Sequence, residues 1–123
     1  MRTIKFKANT LKTGEWIVGD LIHLVDGVYI SNDNGNNMAQ VNPYTVGQFT
    51  GLYDKNKKEI YDGDILKVPG LCEKIEVRFV RGVFAFLWNG DLDDEAPINA
   101  PTQEWAEVIG NIHDNPEILK RKM

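Results

Sequence analysis

The segment from Thr50 to Ile65 makes this chain double back on itself. Gly51, the run Asp54-Lys55-Asn56-Lys57 and the pair Asp62-Gly63 crowd turn-forming residues together, leaving only Glu59-Ile60-Tyr61 to extend between them. A backbone punctuated this densely cannot propagate a helix, and it predicts two reversals joined by a short strand.

The same spacing continues on both sides. Ile4, Phe6 and Ala8 alternate with Lys5 and Lys7, the period-two pattern of a strand with one buried face. Thr13-Gly14 leads into Trp16-Ile17-Val18, Gly19-Asp20 predicts a bend before Leu21 to Val25, and Asp26-Gly27 predicts a hairpin into Val28-Tyr29-Ile30. The run from Ser31 to Asn37 reads as a polar hairpin tip leading to Met38 through Val41. Asn42-Pro43 has the form of a helix cap with proline at the first helical position, and with Gly47 as the stop it predicts one helical turn over residues 43–46.

In the second half, Ile65, Leu66 and Val68 begin a strand, and Ile75, Val77 and Phe79 alternate with Lys74, Glu76 and Arg78. Residues 83–88 are apolar throughout, which predicts a strand covered on both faces or one forming a subunit contact. Residues 89–102 read as an exposed loop before a strand over 104–109, and Asn115-Pro116-Glu117 predicts a short helix over 116–122. Together these segments predict an all-β fold, barrel-like or sandwich-like, with one or two short helical turns. Residues 63–68 suit the first strand of an SH3-like barrel in the C-terminal part. A length of 123 residues fits a single domain over residues 1–123.

Three stretches carry a family resemblance. Residues 50–65 resemble the TGL, DKNG-turn, EIYEGDI pattern of the YopX family of uncharacterised phage and prophage proteins. Residues 2–8 are similar to its opening, with Lys7 in place of an arginine and Asn9 where an aromatic usually falls. Val108-Ile109-Gly110-Asn111-Ile112-His113-Asp114-Asn115-Pro116-Glu117-Ile118-Leu119 resembles its VIGNIYENPEL ending. Lys57 stands where the family commonly has glycine, which argues against a tight type I′ turn, and Tyr53 stands where lysine or glutamate is frequent. The resemblance implies an all-β fold, a phage or prophage gene and self-association, and it implies no activity.

The residues themselves offer little catalytic chemistry. The one serine, Ser31, lies in the polar tip without nucleophile-elbow glycines. Cys72 is the one cysteine, which rules out an intrachain disulfide and suits a reducing compartment, and with His23 and His113 it falls short of a zinc set. The acidic run from Asp91 to Glu95 lacks the glycine of a calcium loop, since Ala96 holds that place. Asp62 and Asp64 flank Gly63 in a pattern that backbone capping of a turn explains without acid–base chemistry. No glycine-rich loop opens a helix as nucleotide-binding loops do.

A net charge of −4 gives no general attraction for nucleic acid or anionic lipid. Charge and aromatics interleave only where Lys55, Lys57 and Lys58 lie between Tyr53 and Tyr61, which makes these five residues the candidate interaction surface. The sequence reading is a non-enzymatic, homo-oligomeric binding or assembly module without a cofactor. Its expected partners are further copies of itself and a host or phage protein, with no membrane, and its expected place is the cytoplasm of a bacterial host. The alternative is a nucleic-acid-associated accessory protein that uses the lysine turn and its tyrosines.

Overall fold

A computed structural model of the chain describes residues 3–32, 37–67, 74–80, 82–88, 95–97 and 105–118. It divides into two compact units, Met1–Gly51 and Leu52–Met123. Both are built from antiparallel strands, so the all-β expectation holds.

The first unit contains β1 (Phe6–Asn9), β2 (Trp16–Leu24), β3 (Gly27–Ser31), β4 (Met38–Gln40) and the start of β5 (Gly47–Tyr53), in the order β4-β3-β2-β1-β5. β2 serves two neighbours in turn. Residues 16–19 pair with β1 and residues 20–24 pair with β3. The bend expected at Gly19-Asp20 is therefore absent, and the strand runs through it. Gly19 is needed because the backbone of β3 comes so close that a Cβ there would meet the carbonyl of Ser31. Ser31 belongs to β3 and is buried, not part of an exposed tip.

Ala8, Ile30 and Val41 form the unit's buried centre, with Phe6, Ile17, Leu21, Val28 and Val46 packed around them. Ile4, expected on the buried face, is exposed ahead of the strand. Lys5, just ahead of β1, and Lys7 within it each lie 5.0 Å from a ring centre, of Phe49 and Trp16 respectively, in cation–π contacts. The helical turn occurs as a 3₁₀ turn at Pro43–Thr45, with the Asn42 side chain accepting the Tyr44 N–H. The Thr45 hydroxyl accepts the N–H of Asn9 at 2.9 Å and so fixes this turn to the end of β1. Gly47 opens β5 instead of stopping a helix, because Val46 is already extended.

The second unit contains β6 (Glu59–Tyr61), β7 (Asp64–Lys67), β8 (Lys74–Val80), β9 (Val83–Trp88), β10 (Glu95–Pro97) and β11 (Glu107–Asn111). Five of these form a sheet in the order β10-β9-β8-β7-β11. β7 is the first of the five in sequence and lies between β8 and β11. The barrel is not closed: β10 and β11 are opposite edges, with no pairing between them among the described residues. β10 is only three residues long and ends in Pro97, which has no N–H to donate to a further strand. β10 also replaces part of the loop expected over 89–102. The C-terminal helix is seen as a 3₁₀ turn at Pro116–Ile118, and the remainder of that expectation lies outside the described residues.

Ile60, Leu66, Ile75, Val77, Phe86 and Ala106 make the unit's core, with Leu52, Trp105 and Val108 against it. Phe86 meets Trp105 edge to face at 5.9 Å. Ala85, Phe86 and Leu87 are buried in succession, as expected of a strand covered on both faces, whereas Val83 is 54% exposed. The alternation expected along β8 breaks down from Glu76 onward. Glu76 is buried beside Arg78, and Phe79 is 53% exposed.

Candidate interaction surface

The hairpin from β5 to β6 is closed by two backbone bonds: Lys57 N–H to Asp54 O at 2.9 Å, and Asp54 N–H to Lys58 O at 2.8 Å. This is a three-residue loop, a turn followed by a residue in the left-handed region. Lys57 occupies that position with φ of +68°, the one non-glycine residue with positive φ among the described residues. The two-residue type I′ turn is therefore absent, as expected from the lysine. A side chain in this conformation costs roughly 1–2 kcal/mol relative to glycine.

Asp54 holds the loop from inside. Its Oδ1 accepts the N–H groups of Asn56 at 2.8 Å and Lys58 at 2.9 Å, and its Oδ2 accepts the N–H of Val108 on β11 at 3.0 Å. The Lys55 N–H reinforces this connection by donating to Ala106 O at 2.9 Å. Burial alone would push the Asp54 carboxyl up, but the three N–H donors and the Lys58 charge outweigh it and hold the group below its ordinary value. The sequence reading missed this residue. The signal was present in the order Asp54-Lys55-Asn56, an aspartate two positions ahead of a turn residue whose N–H it can accept.

The five predicted surface residues do not stay together. Tyr53 is 41% exposed, and Lys55, Lys57 and Lys58 are exposed on the loop. Tyr53, Asp54, Lys55 and Lys57 line an open pocket of about 500 Å³. Tyr61 is elsewhere: it is only 4% exposed, and its hydroxyl donates to Glu59 Oε1 at 2.8 Å. Burial and the neighbouring Glu59 carboxylate raise its pKa. Tyr61 is thus a core residue, and the pair of stacking tyrosines is reduced to Tyr53. Lys55 Nζ stands 4.0 Å from Glu107 Oε1, an exposed and weak ion pair.

The Asp62-Gly63-Asp64 turn is occupied by structural bonds. Asp64 Oδ2 accepts the Tyr61 N–H at 2.8 Å in a buried setting. Asp62 Oδ1 accepts the Phe79 N–H at 3.2 Å and lies 3.4 Å from Arg78 Nε, while Arg78 also pairs with Glu76 at 2.6 Å. Burial raises the Asp62 pKa against the opposing pull of Arg78 and the Phe79 N–H. Gly63, at φ +97°, donates to Val77 O and accepts from Ile112 N–H, tying β8 to the chain after β11. The two carboxylates therefore serve different backbones.

Among the described residues no group of three or more His, Cys, Asp and Glu side chains could hold a metal ion. Cys72 and the acidic positions 91–94 lie outside the described residues. No helix among them is long and apolar enough to cross a membrane.

In comparison with solved structures, the chain is similar to the crystal structure of protein EF1440 from Enterococcus faecalis, with a TM-score of 0.58 and 24% identity, covering 98% of this chain and all of that one. That likeness bears on the fold. No curated protein sequence matches. The family model described as YopX protein matches residues 4–120, which takes in the opening strand, the Asp54 loop and the ending after β11. With nearly its whole length matched, the chain belongs to the YopX family.

Proposed function

We propose that this protein is a non-enzymatic, self-associating assembly module of phage or prophage type, acting in the bacterial cytoplasm and presenting its loops to a host or phage protein. The observation that carries this reading is the end of the β8–β9 ribbon. β8 and β9 stay paired out to Val80↔Val83, whereas among the described residues β10 pairs with β9 as far as Ala85, and on the other side the β7 ladder ends at Glu76, beyond which the Gly63–Val77 backbone bond and the Asp62 side chain on the Phe79 N–H hold β8. Phe79 and Phe84 sit directly opposite each other on this ribbon end, their rings 5.0 Å apart and edge to face, and Val83 is exposed beside them. A ribbon end with so few neighbours is marginal by itself, and the exposed Phe79 and Val83 on it gain stability by burial against another subunit.

A homotypic contact is favoured because an apolar ribbon pairs with its own symmetry mate without requiring a second gene product. The catalytic alternatives have less support, since Asp54, Asp62 and Asp64 are each engaged by backbone N–H groups. Light scattering coupled to size exclusion at micromolar concentration tests the reading. The wild type should run as an oligomer and Phe79→Ser should shift it toward monomer while circular dichroism stays unchanged. A strictly monomeric wild type would overturn it.

A further inference from the structure

We propose that the open pocket beside the Asp54 loop binds a nucleotide unit, with its base against Tyr53 and its phosphate on Lys55 and Lys57. The site is independent of the β8–β9 ribbon. Four observations converge on it. The protein carries a net charge of −4, yet Lys55, Lys57 and Lys58 stand exposed within four positions of one another. Tyr53, 41% exposed, stands next to them, an aromatic of the kind that stacks a planar base. The pocket's volume of about 500 Å³ lies within the range of small-molecule sites.

The fourth observation is Lys57 itself. Its φ of +68° is a conformation that glycine adopts without strain, so the backbone has no use for the lysine side chain at this position. An ammonium group at the pocket's edge supplies a reason for it. The acids on the same rim weaken this charge only in part. Asp54 is 1% exposed and its oxygens face the N–H groups of Asn56, Lys58 and Val108, while Glu107 is paired loosely with Lys55 at 4.0 Å. A phosphate can displace so long and exposed a contact. With Tyr61 in the core, Tyr53 offers a platform for one base, which points to a single nucleotide unit and not a stacked run.

That unit could be a free nucleotide or one residue of a single strand, and titration calorimetry on the full chain separates the two. The probes are thymidine monophosphate, a short oligothymidylate and inorganic phosphate, each at low and moderate salt. Saturable, salt-sensitive binding of either thymidine probe is expected, the monophosphate alone marking the free ligand and the oligomer alone marking the strand. Tyr53→Ala should weaken it about ten-fold, with Tyr53→Leu as the control that keeps apolar bulk but removes the ring. Lys57→Gly should weaken it about three-fold while raising the thermal midpoint, a pair of effects that damage to the fold cannot produce. The proposal is overturned if neither thymidine probe saturates, if inorganic phosphate binds as tightly as the thymidine probe that does, or if Tyr53→Ala and Lys57→Gly both bind like wild type.

Discussion

The carboxylate of Asp54 accepts the main-chain N–H of Val108 at 3.0 Å, across 54 positions of sequence. The same side chain holds the N–H groups of Asn56 and Lys58, so one residue closes a hairpin and fastens it to β11. Replacing Asp54 by Asn separates these two duties. One amide oxygen can still accept the loop N–H groups, but the NH₂ then confronts the Val108 N–H, donor against donor. Asp54→Asn should cost about 1–3 kcal/mol by urea denaturation, and hydrogen exchange should quicken at Val108 before it does at Lys58.

The pH dependence of that contribution has a defined sign. The folded protein holds the Asp54 carboxyl below its ordinary value of 3.8 because the charged form is hydrogen-bonded. Its stabilisation is therefore complete above the unfolded value and is lost as pH falls through the folded one. The stability gap between wild type and Asp54→Asn should be constant from neutrality down to about pH 5 and should shrink below about pH 4. A gap that stays flat in denaturation series down to pH 3 would contradict this.

Much of the fold was legible because its strands are marked by period two and by turn residues. The all-β class, the cap at Asn42-Pro43 and the strand over 83–88 could all be read from local pattern. What escaped depends on neighbours distant in sequence. Phe79 follows the buried alternation of Ile75 and Val77, yet it is exposed, at a point of β8 where its neighbour is the Asp62-Gly63 turn and no longer the strand β7. Tyr61 resembles a rim aromatic, yet both it and Ile60 are buried. The tether from Asp54 to Val108 has no local signature at all.

Lys57 offers the opposite test, a substitution that should stabilise. Glycine at φ +68° removes a steric cost of roughly 1–2 kcal/mol, and its greater freedom in the unfolded chain returns roughly 0.5–1 kcal/mol. Lys57→Gly should therefore gain about 0.5–1 kcal/mol, visible as a thermal midpoint higher by a few degrees in calorimetry. An unchanged or lower midpoint would mean that the lysine side chain contributes to folding itself.

Gly19 should tolerate far less. A Cβ there would lie 2.1 Å from the carbonyl oxygen of Ser31, and that obstacle is backbone held in the β2–β3 pairing, not a side chain that can swing away. Gly19→Ala should cost about 3 kcal/mol or more and should loosen the β2–β3 pairing first. At Gly110 the nearest obstacle is the Asn115 side chain, which can move, so Gly110→Ala should be milder. Chemical denaturation of the two variants side by side checks the order.

Arg78 stands between two acids, 3.4 Å from Asp62 and 2.6 Å from a nearly buried Glu76. Removing it leaves both carboxylates without their cation in a partly desolvated place. Because Arg78 is 43% exposed, Arg78→Met should cost about 1–2 kcal/mol at neutral pH, less than the loss of a fully buried partner. Asp62 already has a raised pKa, so its ionisation penalises the folded state as pH rises through that value, and the variant loses the opposing pull of the arginine. The stability gap to wild type should therefore close on acidification, and it should begin to close at a higher pH than the Asp54→Asn gap does. Asp62 titrates above the ordinary carboxylate value and Asp54 below it. Urea denaturation of both variants from pH 7 to pH 3 reads the order, and the reverse order would show that Asp62 is not the group Arg78 restrains.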